Sequence, residues 1–272
     1  MQRLWLVAAV LPALAGCGGG GDATPILSHT AANLGKIHSG RLDLRFLVTP
    51  RDGEGRVGFE LHGPFQLRHG LPLARMSYTQ ITGGRSATAT FVSTGARAYV
   101  EIGGRAYVLP DASAAQLASA AGSVGGSQGV GDLRIDGWVK DPHVSDGGDV
   151  GGAATDHVSS DLDVVRAAND LLDLVRRLGR DAPTLRGRSA EQLRHAVRSS
   201  HLDVWTGKDD RLLRRLRIEA DFGFDVPDSL RRALGDVVGG KFEFELGIAN
   251  PNEPVHVAAP AHPLPASQLP GG

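Results

Sequence analysis

Alternating apolar and polar residues dominate two long parts of the chain, residues 41–109 and residues 202–248. At residues 41–46, leucine and phenylalanine alternate with charged residues, which is typical of a strand with one buried face. The paired glycines Gly83-Gly84 and Gly103-Gly104 stand between such runs and favour tight hairpins, because both residues of the turn need positive φ. The first third of the chain is therefore predicted to be a meander of about six antiparallel strands.

Further alternating runs follow in the second half of the chain. The clearest is residues 241–248, where phenylalanine, leucine and isoleucine oppose lysine and glutamate. The predicted strands are 41–48, 57–61, 75–81, 86–93, 97–102, 105–109, 154–162, 202–206, 213–222 and 241–248.

Four segments have helical periodicity instead, at residues 26–34, 111–121, 164–178 and 189–199. The longest, residues 164–178, carries one apolar stripe and follows Asp163, which is a suitable N-cap. Ser189 with Gln192 three positions later fits a capping box for the last helix.

These elements predict an α+β fold built on one strongly curved antiparallel sheet. About 9–11 twisted strands curl as the sheet widens, which gives a half-barrel whose concave face must be covered. The few helices available are expected to cover that face. The space between sheet and helices is the candidate binding site, although the same side chains also fit an ordinary packed core. The inward set, taken as the candidate ligand-binding residues, is Leu44, Phe46, Phe59, Leu61, Leu216, Ile218, Phe242, Phe244 and Leu246.

The N-terminus has the features of a lipoprotein signal peptide. A short basic region ending at Arg3 precedes an apolar run at residues 4–13, which is well short of the ~20 residues that span a bilayer. Leu14-Ala15-Gly16-Cys17 then has the aliphatic and small residues that signal peptidase II requires before a lipid-modified cysteine. Cys17 is therefore predicted to carry a diacylglyceryl or acyl group, while an ordinary export signal or a buried helix remains the alternative.

Four regions follow from these signals. Residues 1–16 are the predicted signal peptide, and residues 17–28 are a Gly-rich linker that reaches about 20 Å. Residues 29–250 form a single domain. Residues 251–272 are a proline-rich tail, expected to be extended or disordered.

Composition narrows the function classes. With 29 basic and 30 acidic residues the net charge is −1, which does not favour nucleic acid as a partner. The chain has a single cysteine, so no disulfide can form within it and packing alone must stabilise the exported domain.

No motif for catalysis or metal binding stands out. Residues 53–58 fit GxGxxG but precede a strand, so they are interpreted as a turn. The ten histidines form no zinc motif, and no catalytic or metal-binding residues are predicted. Asp161 and Asp163 fit capping and solvation better than calcium binding. His157 is expected to be a hydrogen-bonded structural residue rather than a polar gate at a cavity mouth.

One basic cluster could meet anionic lipid headgroups, but a solvated strand edge explains it better. Its members are Arg211, Arg214, Arg215 and Arg217.

Several short motifs, in a fixed order, resemble those of the LppX and LprG group of actinobacterial lipoproteins. They include the lipobox and, over residues 28–258, the segments 38–40, 98–109, 138–142, 151–158, 205–215 and 250–251. The resemblance implies a LolA-like half-barrel that binds or carries lipids or acylated glycolipids in the cell envelope, with no catalytic residues to transfer. A transporter or an acceptor lipoprotein would be its partner.

The resulting prediction is an exported lipoprotein, anchored to the cell membrane or envelope through its N-terminal lipid, that binds or carries amphipathic envelope lipids in a hydrophobic cavity. A bound lipid is the only further ligand expected. The alternatives are a structural or interaction lipoprotein with a filled core and, third, an envelope hydrolase.

Overall fold

The computed structural model of the chain describes residues 22–51, 55–125, 133–177, 181–223 and 239–269. The helices are α1 (Ala23–Asn33), α2 (Asp111–Gly125), α3 (Val164–Arg177) and α4 (Arg188–Ala196). The strands are β1 (Ser39–Pro50), β2 (Val57–Gln66), β3 (Leu73–Thr82), β4 (Arg85–Thr94), β5 (Ala98–Ile102), β6 (Arg105–Val108), β7 (Val139–Val150), β8 (Ala153–Leu162), β9 (Val197–Gly207), β10 (Leu213–Phe222) and β11 (Gly240–Ala249).

Within the described ranges these eleven strands pair into one antiparallel sheet. Their order is β6-β5-β4-β3-β2-β1-β11-β10-β9-β8-β7, so the first and last strands of the chain lie side by side at the centre. The sheet is curved and does not close, since β6 and β7 stand at its two edges. The predicted α+β half-barrel is confirmed.

Strand register separates two faces of the sheet. Leu44 pairs with Leu61 on β2 and with Leu246 on β11, and Leu246 pairs in turn with Leu216 on β10. Because side chains alternate along a strand, these residues and those two positions away share one face, called here the inner face. Helices α1, α3 and α4 pack on this face. The opposite, outer face carries the charged residues of the central strands, such as Arg45, Glu60 and Glu245.

Part of the inner face lies in the main core of the domain. Over β8, β9 and β10, α1 and the 3₁₀ turn Ile135–Gly137 pack directly on the sheet, and α3 adds Ala167. The hydroxyl groups of Thr30 on α1 and Thr206 on β9 are 2.8 Å apart, which joins helix to sheet inside the core. The most deeply buried side chains of this core are Leu27, Ile135, Trp138, Val158, Leu202, Val204, Leu213 and Ile218.

Helices α3 and α4 form a second layer against each other and against the sheet. As predicted, Asp163 caps α3, since its carboxylate accepts from the N–H of Arg166 at 3.1 Å. Trp138 donates its indole N–H to Asp170 at 2.7 Å, which holds α3 beside the start of β7. The capping box predicted at Ser189 is wrong: Gly187 is the N-cap of α4, and the Ser189 hydroxyl bonds to the backbone of Arg186 instead.

Two boundaries and one strand differ from the sequence predictions. α1 begins at Ala23, and both Ala23 and Leu27 are buried, so this helix occupies the second half of the stretch predicted to be a linker. The helix predicted at 189–199 ends at Ala196, where β9 begins instead. The strand β7 was not predicted, because its pairing with β8 shifts register at Lys140/His143 and again at Asp146/Gly148.

Within the described residues, the proline-rich tail is hydrogen-bonded to the sheet and includes the 3₁₀ turn Ala266–Gln268. Asn252 donates its N–H to the Ser39 carbonyl at 2.9 Å, which fixes the start of the tail beside β1. Farther along, Leu264 bridges in parallel to Tyr107 on β6. The tail therefore runs from the centre of the sheet to its β6 edge.

Candidate functional site

An aromatic row crosses four neighbouring strands on the inner face and consists of Phe242, Phe46, Phe59 and Tyr78. Phe46 meets Phe242 edge to face with ring centroids 5.3 Å apart, and it stacks on Phe59 at 5.5 Å and 11°. Phe59 in turn contacts Tyr78 at 5.8 Å. The row lies on β11, β1, β2 and β3, which places it across the centre of the sheet.

This part of the inner face is more accessible than the part under α1. Phe46 and Phe59 are half-buried, and Tyr78 and Val57 are 41% and 38% exposed. Helix α2 follows β6 in the chain, but none of its described side chains, at residues 111–119, is buried. The aromatic row therefore includes apolar side chains that the helices leave accessible to solvent.

All nine predicted site residues lie on the inner face. The structure divides them by burial. Leu216 and Ile218 are 3% and 2% exposed and lie in the core under the helices. Half-buried and closer to the open surface are Leu44, Phe46, Phe59, Leu61, Phe242, Phe244 and Leu246.

Tyr78 and Val57 belong to the same surface but were missed in the sequence. Both stand at inward positions of predicted strands, because Tyr78 pairs with Leu61 and Val57 pairs with Val48. The alternation that selected Phe59 and Leu61 could have found them. Their exposure could not be read from the pattern, since it depends on where the helices pack.

Two pockets are lined mainly by polar residues of the outer face. One, of about 480 Å³, is lined by residues of β8 to β11 that include His201, Glu219 and Lys241. The other, of about 360 Å³, is lined by charged side chains of β1, β2 and β11, among them Arg45 and Glu60. The first also includes Ala220 and Phe242 of the inner face, whereas the lining of the second contains no apolar side chain.

A serine, a histidine and an aspartate line up on the outer face. The Ser145 hydroxyl and His157 Nδ1 are 3.2 Å apart, and His157 Nε2 is 2.8 Å from Asp203 Oδ1. His201 Nε2 also approaches that oxygen, at 3.3 Å. The His157 ring stacks on Trp205 with centroids 4.4 Å apart.

This row is built as a cross-strand ladder. Ser145, His157 and Trp205 are direct register partners on β7, β8 and β9. The N–H of Gly148, a nearby backbone donor, is directed to the Asp146 carboxylate at 3.3 Å and not to an oxyanion position. His157 is hydrogen-bonded, as predicted, and it lies on the outer face, away from the aromatic row.

The four arginines predicted to form one basic cluster lie on β10 and on the turn before it. β10 lies between β9 and β11, so it is not an edge strand, and the prediction of a solvated edge is wrong. Each guanidinium has its own acidic partner. The pairs are Arg211 with Asp156, Arg214 with Asp210, Arg215 with Glu245, and Arg217 with Glu219.

Arg214 is the buried member of this set, with 4% of its surface exposed. Its guanidinium donates to Asp210 at 2.6 Å and to the Leu212 carbonyl at 3.3 Å, while its Nε has no partner within the described structure. Burial works against ionisation of Asp210, but the N–H of Leu212 and the Arg214 guanidinium outweigh it and hold the pKa of Asp210 below its usual value.

Asp161 is exposed on the outer face, and Asp163 caps α3. Across the described part of the chain, no three histidine, cysteine, aspartate or glutamate side chains come together as metal ligands. In the same residues, no helix has the length and apolar character needed to cross a membrane. Cys17 and the predicted signal peptide at residues 1–16 lie outside the described ranges.

No protein-family model and no curated protein matches the chain. Among solved structures, it is similar to LprF from Mycobacterium bovis, at 15% identity and a TM-score of 0.49, over 88% of this chain and 97% of that one. It is also similar to the lipoprotein LppX from Mycobacterium tuberculosis, at 14% identity and a TM-score of 0.39, over 88% and 100% of the two chains. The predicted resemblance to this lipoprotein group is confirmed to that extent. Structural similarities at these identities and TM-scores give no information about ligand or activity.

Proposed function

We propose that the protein is a non-enzymatic, membrane-anchored lipoprotein that binds amphipathic envelope lipids by holding their acyl chains against the inner face. The observation that carries this proposal is the aromatic row. Four rings in mutual contact remain half-buried or exposed on a face that elsewhere forms the core. A flexible apolar chain laid along them would complete their burial.

The thermodynamics suit a carrier. Each CH₂ group removed from water contributes about 0.8 kcal/mol, and a bilayer offers the same gain. Transfer of a lipid between membrane and protein is then near neutral in free energy. Direction must come from a partner, for which a transporter or an acceptor lipoprotein is the natural class.

The proposed anchor on Cys17 would hold the domain in a defined orientation. α1 begins at Ala23, so five residues separate it from Cys17, and a Gly-rich coil of that length reaches only about 13 Å. At its other end, α1 is held to the β9–β10 turn, where Asn33 donates to the Arg211 carbonyl at 3.3 Å. The anchor would therefore join the domain at the N-terminal end of α1, away from the β9–β10 turn.

The alternative is a structural or interaction lipoprotein with a filled core. It is favoured by the part of the inner face over β8 to β10, where α1 and α3 leave residues such as Leu202 and Val204 fully buried. The two functions differ in whether the aromatic row takes up a ligand.

Native mass spectrometry of the whole purified chain tests for bound lipid, and the neutral dye Nile red tests for an accessible apolar surface. Tyr78→Asp places a charge in the row at an exposed position, where the fold should tolerate it. The affinity of the Tyr78→Asp variant for Nile red is expected to be at least about tenfold lower than that of the wild type, because the introduced carboxylate must be desolvated when the row is covered. Ser86→Asp is the matched control, since Ser86 is exposed on the outer face of β4.

Lipid that co-purifies, or Nile red that binds the wild type and Ser86→Asp but not Tyr78→Asp, would support lipid binding. A wild-type chain that carries no lipid and binds neither dye nor added lipid would leave the filled-core function in its place.

A further inference from the structure

Strands β1 to β6 and β11 are called here the open half of the sheet, and their inner face carries charge of one sign only. The charged residues at its inward positions are Arg85 and Arg105, and none is acidic. Register defines these positions: Arg105 pairs with Ile102, which pairs with Ala89 and then Tyr78, while Arg85 pairs with Thr82 and then Val57.

The outer face of the same strands has a different composition. Asp43, Glu60 and Glu101 stand there, and Arg45 and Arg75 are paired with the last two of them. The strands therefore direct acidic groups outward, where they are solvated and paired. An inner face that merely packed against helices would need no charge at all.

Both inner arginines are exposed and make no ion pair or hydrogen bond from their side chains to another described residue. β4 and β6 are separated by β5, or about 10 Å, and Arg105 stands level with Ala89, about 13 Å along β4 from Arg85. The two side chains thus flank one corner of the inner face. Both are long enough to converge on a polar group between them.

We infer that the site selects anionic amphiphiles: a phosphate, sulfate or carboxylate headgroup binds at Arg85 and Arg105, and the attached chain extends over Tyr78 and Phe59. The inference rests on the proposed function, since it needs the aromatic row to take an acyl chain. It adds the chemical class of the headgroup. Guanidinium groups suit this role because their planar donors match the oxygens of phosphate and carboxylate.

Three amphiphiles with the same dodecyl chain separate the contribution of the headgroup to affinity from that of the chain. They are dodecyl phosphate, dodecyl maltoside and dodecyltrimethylammonium. Each is titrated below its micelle concentration against the whole chain carrying Nile red, and displacement of the dye gives relative affinity. Dodecyl phosphate is expected to bind about tenfold more tightly than dodecyl maltoside, as two partly exposed charge-assisted contacts would give. Dodecyltrimethylammonium should bind most weakly.

The double variant R85Q/R105Q should lose that tenfold preference while its affinity for dodecyl maltoside stays unchanged. R97Q is the matched control and should behave as wild type. Arg97 is exposed at the β4–β5 turn, at the far end of β4 from Arg85, and its side chain has no ion pair among the described residues.

Equal affinities for dodecyl phosphate and dodecyl maltoside, or a preference that survives in R85Q/R105Q, would overturn the inference and leave lipid binding standing. Failure of all three amphiphiles to displace the dye would remove the proposed function itself. A last titration adds inorganic phosphate at millimolar concentration as a competitor of dodecyl phosphate. If inorganic phosphate displaces dodecyl phosphate as effectively as a dodecyl amphiphile does, the arginines bind free anions and the inference fails.

Discussion

The ion pair between Arg214 and Asp210 is expected to stabilise the domain far more than the neighbouring ion pair between Arg215 and Glu245. Asp210→Asn removes the negative charge and leaves a guanidinium that is 4% exposed without a counter-charge. Breaking a fully buried pair in this way costs ~3–5 kcal/mol. Because the Asp210 side chain is 41% exposed, water screens part of the interaction, and we expect a loss of about 2 kcal/mol in the free energy of unfolding.

Glu245→Gln provides the matched control, because it removes the partner of Arg215, the next residue along β10. Both members of that pair are about two-fifths exposed, at 43% and 39%. Its loss should therefore be no more than about 0.5–1 kcal/mol. Urea unfolding followed by tryptophan fluorescence at pH 7 gives both free energies. In a thermal scan, the Asp210→Asn difference corresponds to a midpoint lowered by about 4–8 °C.

Acid should narrow the difference in the free energy of unfolding between the wild type and Asp210→Asn. The folded-state pKa of Asp210 is lowered from 3.8, so the stability that the carboxylate contributes is present above that pH. It is lost as pH falls through the lower, folded-state pKa, where the wild-type carboxyl also becomes neutral. If Asp210→Asn costs no more than Glu245→Gln at pH 7, or if the gap does not narrow in acid, the assignment of Asp210 as the counter-charge of a buried arginine is refuted.

Three further predictions concern other parts of the chain. Gly63→Ala should destabilise the domain by about 3 kcal/mol or more in urea, because Gly63 has φ +147 and an added Cβ would lie 2.0 Å from the Arg75 carbonyl oxygen. Cys17→Ser should move the protein from the membrane fraction to the soluble fraction while dye binding persists; loss of dye binding would make the anchor part of the site. Ser145→Ala should leave hydrolysis of p-nitrophenyl butyrate at the level of the wild-type preparation, and a specific loss would show instead that Ser145 and His157 form a nucleophilic site.

The strands of the first third could be predicted because local signals agree there. Alternation, double glycines and short connections all indicate the same hairpins, and the structure pairs those runs in sequence order. β7 could not be found in this way. Asp141 has φ +50 before Pro142, and the two register shifts interrupt the alternation on which strand prediction depends.

The boundary between α4 and β9 was misplaced for a related reason. Val197, Arg198, Ser199, Ser200 and His201 have neither a helical stripe nor strict alternation. They pair as a strand because β10 lies beside them, with Phe222 opposite Val197. A partner distant in the sequence decides the structure of this segment, so its own residues could not reveal it.

The site shows most clearly what alternation can and cannot predict. Alternation places Phe46, Phe59 and Phe242 on the inward faces of their own strands. It does not reveal that β1 lies between β2 and β11, although this pairing alone brings Phe242 into contact with Phe46. The same pairing sets the two halves of the inner face on either side of the row, one in the core under α1 and one that ends at Arg85 and Arg105. Among the described residues of β1 to β6 and β11, the cationic groups on the inner face lie on β4 and β6, so the proposed amphiphile would bind with its headgroup in that direction.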